Sequence, residues 1–187
     1  MGFLLTILTI FILLYVWYST IISRRNTALE ALSGIDVQLQ KRGELIPNIL
    51  TIAKKFMEHE RGLLEEITSL RTAAIAPYNK TDAAAVANHV DAVKALEGKM
   101  GQFMVQVENY PQLKSDATMV TAMQSYNEAE AQIAAARRFY NSAVTALNNS
   151  IQIFPGTFLA KWAGVAAMPF YDAPEATLAP VNAKDFL

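Results

Sequence analysis

The stretch from Ala28 to Ala74, ALEALSGIDVQLQKRGELIPNILTIAKKFMEHERGLLEEITSLRTAA, decides the fold of this chain. Taken in sevens, one track carries Ala28, Ile35, Arg42, Ile49, Phe56, Leu63 and Leu70. The track four residues on carries Leu32, Leu39, Ile46, Ala53, Glu60, Ile67 and Ala74. Twelve of these fourteen positions are apolar, and such spacing over this length predicts a long helix with a packed seam. The exceptions, Arg42 and Glu60, set opposite charges where a bundle wants apolar side chains. One helix over the whole stretch would be about 70 Å long, against ~30 Å for the width of a small domain. An elongated molecule is expected.

Inside the stretch lies Gly43-Glu44-Leu45-Ile46-Pro47-Asn48. A proline within a helix removes a backbone donor, and its ring collides with the carbonyl four residues earlier. That residue is Gly43, which yields more easily than any other. Because the heptad register continues on both sides, a kink over Gly43 to Pro47 is expected. The alternative is a true break into two helices.

Working toward the C-terminus, Ala76-Pro77 closes the pattern and Tyr78-Asn79-Lys80 reads as a connection. Thr81 or Asp82 can cap a second helix, with a stripe of Val86, Val90, Val93, Leu96, Met100, Phe103, Met104 and Val107. Asn109-Tyr110-Pro111 stops it. Ser115 or Asp116 then caps a third helix. Its tracks are Met119, Tyr126, Ile133, Tyr140, Leu147, Phe154 and Met123, Glu130, Arg137, Val144, Ile151. Phe154-Pro155-Gly156 ends it, leaving a short apolar stretch from Phe158 to Ala167 and a Pro- and Ala-rich tail. A tail of this kind frays unless it docks on its own bundle or on a neighbour.

Working toward the N-terminus, residues 1–23 hold no charged side chain and Gly2 to Ile22 is almost wholly apolar. That run is long enough at 1.5 Å per residue to cross a hydrocarbon core of about 30 Å. Tyr15, Trp17 and Tyr18 gather near its far end and Arg24 and Arg25 follow, the aromatic and basic signature of a membrane interface. The competing interpretation is a cleaved signal peptide, but no basic n-region precedes the run and no small-x-small site precedes the arginines. The arginines on the C-terminal side favour an N-terminus outside and a cytoplasmic body.

Composition narrows the function. At 187 residues, 52% hydrophobic and mean hydropathy +0.19, the chain is oily for a soluble protein. A net charge of −1 supplies no electrostatic footprint for nucleic acid. Having no cysteine, it offers neither disulfides nor thiolate chemistry. His59-Glu60 begins like a zincin motif, but Leu63 stands where the second histidine belongs. The other histidine, His89, brings no third ligand, and Glu58, Glu60, Glu65 and Glu66 read as a solvated acidic face. There is no Gly-rich phosphate loop and no Gly-x-Ser-x-Gly elbow. No enzyme activity, cofactor or metal is expected.

Four charges fall in the seams: Arg42, Glu60, Glu130 and Arg137. Buried alone, each costs several kcal/mol, and mutual pairing offsets much of that. One expectation is that Arg42 and Arg137 meet Glu60, Glu130 or Glu44 across the bundle and fix its register. The other is that these long side chains snorkel out at the seam's edge.

Several motifs together resemble a known family. Arg42-Gly43-Glu44-Leu45-Ile46-Pro47-Asn48-Ile49-Leu50, His59-Glu60, Ala136-Arg137-Arg138-Phe139-Tyr140-Asn141 and Phe154-Pro155-Gly156 closely resemble the LemA family in order and spacing. So does the ending, here Pro169 to Ala173 and Pro180 to Phe186. The resemblance implies a bacterial inner-membrane protein with an antiparallel helical bundle and no assigned enzyme activity. Some relatives are linked to membrane remodelling in magnetosomes, and others are encoded near membrane proteases. After Phe154 the chain departs from the family pattern, with Trp162 and Val165-Ala166-Ala167 in place of the usual Gly-Phe region.

The expected fold is all-α. An N-terminal transmembrane helix (residues 1–23) continues into an elongated antiparallel bundle of three long helices (24–156). A short apolar helix and an extended tail follow (157–187). The expected function is that of a membrane-anchored scaffold in the bacterial inner membrane, self-associating through bundle and tail to organise or remodel the bilayer. The alternative is an adaptor or regulator of a membrane protease or signalling partner. Expected partners are the lipid bilayer, further copies of the chain and another membrane protein, with no nucleic acid.

Overall fold

The structure, a computed structural model, describes residues 2–171. They are helical throughout, with no strand among them. The order is α1 Gly2–Ala53, a 3-10 turn Glu58–Glu60, α2 Arg61–Ala74, α3 Ala83–Val107, the single-turn α4 Pro111–Lys114, α5 Ala117–Gln152 and α6 Gly156–Ala163.

One expectation is corrected at once. The heptad stretch is not a single helix to Ala74. It is α1 to Ala53 and then α2, which folds back along it. Pro47 is not where the chain turns, because it lies inside α1. The missing proline donor frees the Gly43 carbonyl, and Arg71 Nε of the returning α2 donates to it. Gly43 also makes the close approach feasible, since a Cβ there would lie 3.0 Å from Ile75 Cγ2. The reversal comes at Lys54–Met57, where two exposed lysines give way to Met57, fully buried at φ −115°. Burying Met57 stabilises the turn by about 2 kcal/mol. A straight 70 Å rod would leave the distal stripe without a partner. Folding back buries Leu64, Ile67 and Ala74 instead.

Up to Ala53 the seam is as read: Ala28, Leu32, Ile35, Leu39, Ile46, Ile49 and Ala53 are all buried. Beyond the reversal the register slips, so that Leu64 is buried while Leu63 is only partly so. The stripe of α3 is buried from Val86 to Val107, with Met104 half-buried at its edge. Asp82 and Asp116 are the caps of α3 and α5, accepting from Ala84 N and from Thr118 N and Met119 N. Along α5, Met119, Tyr126, Ile133, Tyr140 and Leu147 are buried, but Phe154, read as the next in line, lies beyond the helix end and is 76% exposed.

Two pairs of helices approach most closely, α1 with α5 and α2 with α3. Arg42 pairs with Glu130 and Arg24 reaches the Ala146 carbonyl, so α5 runs antiparallel to α1. The rising order of Asp36 with His89 and Arg42 with Glu97 shows α3 parallel to α1. The bundle thus occupies α1 from about Trp17 onward, and the preceding residues project from it bare.

Candidate functional site

Arg42 is the largest fully buried side chain of the core. Its Nη1 lies 2.6 Å from Glu130 Oε1 of α5 and 3.1 Å from Glu97 Oε1 of α3. The same Glu97 oxygen pairs with Arg137 of α5. Burial works against the Arg42 charge, but Glu130, Tyr126 and Glu97 outweigh it and leave its pKa above the ordinary value. Three helices are thereby tied at one level by alternating charges. Of the four seam charges read from the sequence, Arg42, Glu130 and Arg137 gather here. Glu60 does not: it sits in the 3-10 turn. Glu44 is exposed and accepts from Gln40. The unanticipated member is Glu97, whose sequence signal is its place beside Leu96 at the edge of the α3 stripe.

Next to this cluster the chain after α6 returns along α5 in extended form. Asn148 accepts from Met168 N and donates to Met168 O, both at 3.1 Å. Asn141 does the same for Tyr171, at 2.8 and 2.7 Å. Tyr140 Oη donates to the Pro169 carbonyl at 2.8 Å, and the Arg137 guanidinium lies 4.8 Å from the Tyr171 ring centre. Burial pushes the Tyr140 hydroxyl up to about 12, and the Tyr171 hydroxyl likewise against the pull of Arg137. The two motifs Ala136–Asn141 and Pro169–Ala173 thus meet in space as far as Tyr171. The remainder of the tail, with Pro180 to Phe186, lies outside the described residues.

A second polar cluster pins the connection between α2 and α3. Asp36 of α1 accepts from Tyr78 Oη at 3.0 Å and pairs with Lys80 at 2.6 Å. The His89 ring stacks on Tyr78 with centroids 4.0 Å apart, its Nε2 3.6 Å from Asp36. Burial, which Lys80 reinforces and Asp36 opposes, holds the His89 pKa below the ordinary value. This constellation couples three elements, and no sequence spacing announced it.

The near end of the bundle is apolar. Phe3, Leu4, Leu8, Phe11 and Tyr15 are mostly exposed around the projecting part of α1. Trp17, read as facing a membrane interface, turns inward and packs on the core. Its Nε1 would lie 3.0 Å from a Cβ at Gly156, which would also collide with the Ser150 carbonyl. Tyr18 meets the Trp162 ring edge to face at 5.7 Å. Arg24 is exposed and donates to Ala146 O, and Arg25 is half-buried.

Among the described residues, α1 is the one helix long and apolar enough to cross a membrane, which is compatible with membrane anchoring. A helical bundle built on a long helix whose first turns are bare and apolar defines the class: an all-α bundle with an apolar N-terminal helix. The LemA family model matches residues 31–184, and the chain belongs to that family. No curated protein matches the chain.

Proposed function

We propose that this protein is a non-catalytic, membrane-anchored scaffold of the bacterial inner membrane, self-associating through its bundle and tail to organise or remodel the bilayer. The observation that supports this most is the continuity of α1. Its 52 residues run without interruption from the bare apolar segment through the centre of the bundle. An anchor rigidly continuous with the body transmits the body's orientation to the bilayer, whereas a flexible linker would uncouple the two. Exposed Val37, Val105, Val120 and Phe139 on the bundle supply apolar surface for further copies. The body lies on the cytoplasmic side in this reading, from the arginines after the apolar run.

The test is the mass of the full-length protein in mild detergent by light scattering, beside a variant lacking residues 1–14. The sequence alone suggests cutting after Arg25, but that would remove Trp17 and the fully buried Ile21 from the bundle. A single large particle from both would support the scaffold, with the bundle and tail as the assembly surface. A monomer from both would defeat it.

One observation favours the adaptor reading instead. Between the distal end of α1 and α2 lies a groove of about 780 Å³ lined by Ile46, Pro47, Leu50, Met57, Leu64 and Arg71 among others. It is large enough for a partner's side chains. A monomer that retained a membrane protease on affinity capture would support that role.

A further inference from the structure

We propose that α6 is a second membrane contact, lying in the headgroup layer and inserting Phe158 and Trp162, with Phe154 before it, into the bilayer surface. This rests on the anchored reading of α1 and adds to it a built surface on the body.

The helix is amphipathic in an unusual sense. Gly156 and Ala160 are buried and Leu159 and Ala163 pack on the core. The opposite side carries Phe154, Phe158 and Trp162, four residues apart and 76, 71 and 80% exposed. Phe158 and Trp162, so spaced within α6, share one helical face, and Phe154 joins them from the turn before the helix. Phe154 and Phe158 rings stand edge to face with centroids 6.3 Å apart, so the patch is contiguous. Lys161, also exposed, is the single charge of the helix. Large aromatics with a basic residue are the composition of helices that lie in a membrane interface.

Position identifies the occupant. Gly156 abuts Trp17 and Trp162 abuts Tyr18, so both ends of α6 meet α1 at one level. That level lies within the apolar run, about 10 Å on the membrane side of Arg24 and Arg25 at 1.5 Å per residue. Interfacial helices seat their apolar face about 5–10 Å into the headgroup and acyl boundary. With α1 crossing the bilayer, the aromatic patch has no water to face at that depth. Tyr15 and Val16, within one turn of Tyr18 on α1, are exposed as well. Gly164 at φ 65° ends the helix and turns the chain back toward α5, which keeps α6 short and across the anchor.

The test uses the full chain in vesicles of neutral and anionic phospholipid. Trp17→Phe leaves Trp162 as the sole tryptophan, and lipids brominated near the headgroup or deep in the chain report its depth. The expected result is blue-shifted Trp162 emission, lost more to shallow bromine than to deep. The wild type compared with Trp162→Phe gives the same signal without touching Trp17. Phe158→Asp should relieve the quenching while an alkaline carbonate wash still leaves the chain on the vesicles. Water-like, unquenched Trp162 in chain that resists the wash would overturn α6 insertion and leave the anchor standing. Chain that washes off would overturn both.

Discussion

The side-chain amide of Asn141 pairs with both backbone groups of Tyr171, its Oδ1 accepting from the Tyr171 N–H at 2.8 Å and its Nδ2 donating to the Tyr171 carbonyl at 2.7 Å. One side chain thus does for the returning chain what a neighbouring strand would do in a sheet. Asn148 repeats it nearer the apolar end of α1, at Met168. An extended segment has no internal hydrogen bonds of its own, so these two asparagines and Tyr140 are what fasten it to α5.

Asn141→Ala should therefore release the segment. It leaves two half-buried backbone groups without partners, a loss of about 2 kcal/mol. The Tyr171 amide should exchange with deuterium much faster than in the wild type, with α5 still protected. Unchanged exchange would mean that Tyr140 and burial of the Tyr171 ring suffice.

The charge cluster makes a graded prediction. Arg42→Met takes the ion-pair partner from Glu130 and leaves Glu97 with Arg137 alone, and should cost about 3 kcal/mol in urea unfolding. Glu130→Gln should cost clearly less, because Glu130 is a third exposed and water screens it. Arg137→Leu should fall between, losing both Glu97 and the Tyr171 ring. Equal stability of Arg42→Met and wild type would remove the cluster's structural role.

Pro47 and Arg71 should be energetically coupled. Pro47→Ala restores a backbone donor for the Gly43 carbonyl that Arg71 now satisfies. Arg71→Met should then be milder in the Pro47→Ala background than in the wild type, by on the order of 1 kcal/mol in a double-mutant cycle. Additive effects would show that Arg71 acts through other contacts.

His89 gives a pH dependence of known sign. Its folded pKa lies below the ordinary value, chiefly through burial, so the unfolded chain binds the proton more readily. The stability this supplies is complete above the ordinary histidine pKa of about 6.5 and is lost as pH falls below it. Thermal melting from pH 8 to 5 should show a declining Tm on the acid side, and His89→Gln should flatten it. The neighbours facing the ring are Asp36, Tyr78 and Lys80. An acid slope as steep in the variant would assign it elsewhere.

What was legible in the sequence was local. The apolar stripes, the caps Asp82 and Asp116 and the bare apolar run follow from spacing and side-chain type alone, because each needs only its near neighbours in the chain. The motif residues Arg42, Arg137 and Asn141 stood out as sequence, and Pro47 as a point of strain. What each of them bonds was not readable there.

Tertiary structure decided the rest. The heptad pattern carries on past Lys54, and only the fold-back places Arg71 against Gly43, 28 residues away. Glu97 joins Arg42 across 55 residues and Tyr171 joins Asn141 across 30. Trp17 turns inward because Gly156 offers it a surface without a side chain, and Phe154 turns outward because the helix has already ended. Periodicity fixes which face of a helix is apolar. Which partner meets that face depends on where the chain reverses, and that is settled by the free energy of the whole packed bundle.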